Sequence, residues 1–139
     1  MSVGARQWVL PSDVQRIPPV VDEVVAMCRD AGFSPRQCRL NVPVAITEAL
    51  ANAMLRGNAN LDVRLVTVVV EVTTDRLVVD VADEGEGFDL ACAERTPDDE
   101  DWLEREDGRG IFLMRQLMDH VENRCLDAGH VLRLVLHRS

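Results

Sequence analysis

The sequence predicts an α+β fold, an antiparallel or mixed sheet covered on one face by helices, and three observations predict it. Apolar residues recur at helical spacing in three separate segments. In the segments between and after them, β-branched residues are dense and alternate at the period of two that a half-buried strand requires. The consecutive strands are joined by turns far shorter than the dozen or so residues that a parallel crossover needs. The order is strand, two helices, two strands, a long polar loop, one helix and two strands, which suits helices layered on one side of a sheet.

The elements follow one by one. Gln7 to Leu10 read as a short strand closed by Pro11, with Ser12 as a candidate cap. Val14, Ile17, Val20, Val21, Val24, Val25 and Cys28 recur at helical spacing, and Pro18 with Pro19 favours a clean start before Val20 over one at Asp13. Gly32 ends that helix. Ser34 and Pro35 supply an N-cap and a proline at the first helical position, opening a segment that runs into a second, mostly apolar helix with a candidate kink at Pro43. After Gly57 the period changes: Val66, Val68, Val70 and Val72 alternate with Leu65, Thr67, Val69 and Glu71 in a strand. Thr74 and Asp75 turn it into a second strand, Leu77 to Ala82. Residues 90–107 are polar and acidic, a long loop of the kind that serves as a functional lid or a disordered insertion. Gly108-Arg109-Gly110 ends it, and Ile111, Met114, Leu117, Met118 and Val121 mark one face of a helix starting there. Val121 to Leu126 and Val131 to His137 form the last two strands, turned at Asp127-Ala128-Gly129.

Composition narrows the function. A chain of 139 residues with 47% hydrophobic residues fits one domain, 1–139, and leaves no room for a second. Lysine plus arginine number 15 against 24 acidic residues, and the net charge of -9 opposes binding to nucleic-acid backbones or anionic membrane surfaces. No apolar run is long enough to span a bilayer, and the start, MSVGARQWVL, lacks the apolar core of a secretory signal, so a cytoplasmic protein is expected. Cys28, Cys38, Cys92 and Cys125 are scattered singly and read as reduced thiols. His120, His130 and His137 lie outside any catalytic pattern and are expected in core or surface roles.

The candidate site begins on the second helix, 41–58. At about 100° per residue, Asn41, Glu48, Asn52 and Arg56 fall within an arc of roughly 80°, while Val44, Ile46, Leu50, Ala53 and Met54 occupy much of the rest. A carboxylate and an amide one turn apart on a buried helix need partners, and a bound cation with a polar ligand would supply them; a stripe facing water is the plainer alternative. Two glycine segments follow. Asp83, at a strand end ahead of Gly85 and Gly87, is placed to accept a hydrogen bond from an exocyclic amine such as that of adenine, and glycines let a flat ring approach the backbone. Gly108 and Gly110, with Arg109 between them, open a helix whose free N–H groups and dipole favour phosphates.

These three segments resemble the N, G1 and G2 boxes of the GHKL, or Bergerat-fold, ATPases, and their order and small size are most similar to the bacterial anti-sigma-factor serine/threonine kinases. The residues that carry the resemblance are Thr47-Glu48-Ala49-Leu50-Ala51-Asn52-Ala53, Asp83-Glu84-Gly85-Glu86-Gly87-Phe88-Asp89 and Gly108-Arg109-Gly110-Ile111-Phe112-Leu113-Met114. The resemblance implies a two-layer α/β sandwich with a mostly antiparallel sheet and an ATP lid at about 90–107. It implies ATP and Mg²⁺ as cofactors, Asn52 as the magnesium ligand and Glu48 as general base. Asp83 would read adenine with Gly85 and Gly87 beside it, and Gly108, Arg109 and Gly110 would line the triphosphate. The chain departs from the family at Arg56, where histidine is common, and at His130, where threonine commonly follows the glycine before the last strand. Arg56 would pair with Glu48, touch a phosphate or extend to solvent.

The function expected from the resemblance is an ATP-dependent protein serine/threonine kinase, an anti-sigma regulatory factor that phosphorylates an antagonist in a partner-switching system. Its partners would be a sigma factor or similar client, an anti-anti-sigma antagonist and a second copy of itself in a homodimer. Two alternatives are an ATP-binding interaction module without kinase activity and a detached ATPase domain of a histidine kinase.

Overall fold

The computed structural model describes residues 2–57, 64–84, 106–126 and 129–139. Its strands are β1 (Ser2–Pro11), β2 (Leu65–Thr73), β3 (Arg76–Asp83), β4 (His120–Leu126) and β5 (Gly129–His137), and they form one sheet in the order β1-β2-β3-β5-β4. Every neighbouring pair is antiparallel. The helices are α1 (Ile17–Asp30), α2 (Val42–Asn52) and α3 (Glu106–Leu117). The expected α+β sheet with helices on one face is therefore what forms.

Strand alternation decides which face is covered. Val66, Val68, Val70 and Val72 of β2, Leu77, Val79 and Val81 of β3, and Leu132, Leu134 and Leu136 of β5 are buried in one cluster with the helices' apolar residues. On the opposite face Val9, Leu65 and Val69 stay exposed. There Arg133 of β5 donates from both Nε and an Nη to the Asp80 carboxylate of β3, at 2.8 and 2.9 Å, and that carboxylate raises the Arg133 guanidinium above its ordinary value. This two-pronged bond pins the β3–β5 register, in which Asp80 faces Arg133 and Asp83 faces His130.

The helix ends are chemically specified. Asp13 caps a short 3-10 turn at Val14–Arg16 by accepting from the Gln15 N–H, and α1 then starts at Ile17 with Pro18 and Pro19 inside its first turn. The α-helix thus starts before Val20, as expected, and its prolines are tolerated because at the first helical positions they lack only N–H groups that have no intrahelical acceptor. At the other end Gly32, at φ +89, donates to the Arg29 carbonyl while Phe33 donates to that of Cys28, a Schellman closure. Ser34 and Gln37 exchange bonds, Gln37 N–H to Ser34 Oγ at 3.1 Å and Ser34 N–H to Gln37 Oε1 at 3.2 Å, forming a capping box that launches the next helical segment.

That segment is not uniformly α. A π turn at Gln37–Asn41 leads into α2, and another at Ala53–Gly57 follows it. Pro43 explains the first: it has no N–H and its ring would clash with the carbonyl four residues back, and the wider turn, in which Val42 N–H reaches the Gln37 carbonyl, makes room without breaking the helix. α2 packs against both α1 and α3, and the π turn after Asn52 packs against β3.

Several boundaries differ from expectation for identifiable reasons. β1 runs from Ser2, not Gln7, because it pairs with β2 along nearly its whole length. α3 begins at Glu106, ahead of Gly108, with Glu106 and Asp107, residue types that the positive end of a helix dipole favours, at its start. It ends at Leu117, so Val121 belongs to β4. Most of the expected lid, and the turn residues 127 and 128, lie outside the described residues.

Candidate functional site

α2 presents Glu48 and Asn52 one turn apart. Its Val42, Ala45, Ile46, Ala49 and Leu50 are buried, whereas Glu48 and Asn52 are only half-buried and lie off that apolar face. Among the described residues neither side chain is committed to a hydrogen bond or ion pair. A carboxylate and a carbonyl oxygen are hard donors suited to a proton or to Mg²⁺.

Asn41 and Arg56 fall in the two π turns that flank α2. Asn41 lies in the first π turn, and its Nδ2 donates to the Leu117 carbonyl at 2.7 Å, so it ties α2 to the end of α3. A cavity of about 490 Å³ beside it is lined by Gln37, Asn41, Leu117 and Arg138 among others, and of the predicted stripe only Asn41 reaches it. Arg56 lies in the second π turn, and its side chain lies outside what the structure describes. Glu48 and Asn52 are the pair that regular α-helix holds one turn apart.

Asp83 occupies the last position of β3 and extends the inward series Leu77, Val79 and Val81. Its side chain is only 1% exposed. A carboxylate buried that deeply requires a polar partner, and His130 provides one, with Nδ1 at 2.5 Å from Oδ2. The next residue, Glu84, accepts from the Leu65 N–H at 2.8 Å, which anchors the chain as it leaves β3. Gly129 allows the close approach of β5: at φ +133, a Cβ there would stand 2.0 Å from the Asp83 carbonyl oxygen.

Gly108, Arg109 and Gly110 lie in the first half of α3, near the end where N–H groups have no intrahelical acceptor. Gly85 and Gly87 lie outside the described residues. The residue that reasoning from sequence missed is His130, assigned there to a core or surface role. Its signal was present in the chain: it follows the glycine that opens the last strand, but only the β3–β5 register reveals that it faces Asp83.

Known proteins resemble this chain in sequence and in fold. The serine-protein kinase RsbW of Staphylococcus epidermidis is 31% identical over 85 residues, covering 56% of this chain and 53% of that protein. RsbW of Staphylococcus aureus strain JH9 is 31% identical over 84 residues, with the same coverage. The chain thus spans about half the length of these curated relatives. A crystal structure of the RsbU and RsbW domains of Rv1364c from Mycobacterium tuberculosis superimposes with a TM-score of 0.68 at 13% identity, covering 98% of this chain and 33% of that one, and so shares its fold. The model of the histidine kinase-like ATPase domain matches residues 10–136, nearly the whole chain, and the protein belongs to that family.

Proposed function

We propose that this protein is an ATP-dependent serine/threonine kinase of the anti-sigma type, acting in the cytoplasm as a single domain with a lid at about 90–107. The observation that carries the reading is the buried Asp83 carboxylate at the end of β3, on the helix-covered face of a strand that packs against the π turn following Asn52. Family membership and the similarity to serine-protein kinases support it.

The side chains fit the nucleotide and metal that the family implies. Asp83 is an acceptor for an exocyclic amine, and the Asn52 amide oxygen is a hard ligand for Mg²⁺. The early N–H groups of α3, including that of Gly108, suit a phosphate chain, with Arg109 a candidate counter-charge, and Gly85 and Gly87 would leave room beside the base. Bound ATP would supply the transferable phosphoryl group. Glu48, uncommitted among the described residues, would take the proton from the attacking hydroxyl. Arg56 is assigned to the same site as a phosphate contact or a partner for Glu48.

The acceptor is proposed to be a serine or threonine of a small anti-anti-sigma antagonist, and the client a sigma factor or similar protein held by a homodimer. A phosphate adds about -1.5 to -2 charge at neutral pH, and on a partner of a chain at -9 it favours release. Incubation with labelled ATP, Mg²⁺ and candidate antagonists tests the reading. An acid-stable phosphoester on the antagonist is expected. Acid-labile phosphate would favour a histidine-kinase relationship, and no transfer despite tight ATP binding would favour an interaction module.

A further inference from the structure

We propose that His130 is a positioning residue that keeps Asp83 a pure hydrogen-bond acceptor and thereby sets the preference for a 6-amino over a 6-oxo purine. The inference rests on the nucleotide reading of the Asp83 site. Three features place the imidazole. Asp83 and His130 are direct partners in the antiparallel β3–β5 ladder, so their side chains share a face. Gly129, where a side chain would collide with the Asp83 carbonyl, lets the start of β5 come close. The Asp80–Arg133 bond fixes the same register three positions along each strand.

The chemical consequence follows from burial. A carboxyl group enclosed without a charge partner favours its neutral form, which carries both a donor and an acceptor and can pair with an amine or a carbonyl. A hydrogen bond from an imidazole N–H favours the charged form of a carboxylate, and His130 Nδ1 stands 2.5 Å from Oδ2. An ionised carboxylate accepts only. It matches the amine at C6 of adenine and opposes the carbonyl at C6 of guanine. The Asp83 side chain is 1% exposed and that of His130 16%, so the pair sits largely out of water, where the hydrogen bond between them counts for more.

The experiment measures Kd for ADP and GDP by calorimetry on the wild type, His130→Ala, His130→Asn and His130→Gln. The asparagine amide nitrogen takes the place of Nδ1, whereas that of glutamine lies one bond farther out. His130→Ala and His130→Gln are expected to lose on the order of tenfold or more of the ADP-over-GDP preference, and His130→Asn to retain most of it. A general loss of stability would weaken both nucleotides alike and leave the ratio unchanged. If wild type prefers ADP and the alanine variant keeps that ratio, the positioning role is overturned while the nucleotide site stands. If the alanine variant does not fold, equal ratios for the asparagine and glutamine variants overturn it in the same way. Wild type that binds neither nucleotide overturns the site reading and this proposal with it.

Discussion

Asn41 donates from Nδ2 to the carbonyl of Leu117 at 2.7 Å, joining the π turn that leads into α2 to the last residue of α3. The helix that carries Glu48 and Asn52 and the helix that carries Gly108 and Gly110 are thus tied together at one end. The bond also satisfies a carbonyl that a helix end leaves without an intrahelical donor. Asn41→Ala should cost roughly 0.5–1.5 kcal/mol, because a part-buried carbonyl loses its donor. Urea unfolding of the variant checks this, and an unchanged midpoint would show that water replaces the amide without loss.

Gly129→Ala should be destabilising by roughly 1–3 kcal/mol, since the site combines a φ of +133 with a backbone atom 2.0 Å from the new Cβ. The strain falls on the Asp83 main chain, so nucleotide affinity should fall as well. Thermal unfolding and calorimetry on one variant read both effects. Wild-type values in both would mean that β5 can start elsewhere.

Glu48→Gln should separate binding from transfer. The amide keeps the size and polarity of the side chain but cannot take a proton, so ATP affinity should stay near wild type while transfer falls by roughly 10²- to 10⁴-fold. Unchanged transfer would assign the base to another residue.

Cys28, buried at the end of α1, has its thiol pushed up to about 12 by burial and, secondarily, by Cys38. The folded chain therefore holds this proton to higher pH than the unfolded chain, whose thiol ionises near 9.0. Its contribution to stability is complete below that value and is lost as pH rises toward about 12. At pH 8, iodoacetamide should label Cys28 only as fast as the protein opens. Rapid labelling of the native state would contradict the burial.

The periodic parts of this chain were legible from sequence. Alternating valines gave β2, and the inward face of α1 followed from spacing at Ile17, Val20, Val21, Val24 and Cys28. Glu48 and Asn52 were legible because regular α-helix joins them. The tie of Asn41 to Leu117 was not, since it depends on how two helices distant in sequence pack together. The contact between Asp83 and His130 was hidden for a different reason: it depends on which strand lies beside β3, a long-range choice that no local pattern encodes. The early start of α3 reflects Glu106 and Asp107, whose fit to a helix start was hidden within an acidic loop.

The account turns on a nucleotide held at Asp83 and Asn52, and thermal unfolding with Mg-ATP measures that most directly. At about a hundredfold excess over its Kd the ligand should stabilise the wild type by ~2.7 kcal/mol. Asn52→Ala should lose most of the magnesium-dependent part, and Asp83→Asn should respond to ATP and GTP more equally than the wild type does. A wild-type melting temperature unmoved by ATP or ADP would contradict the central claim.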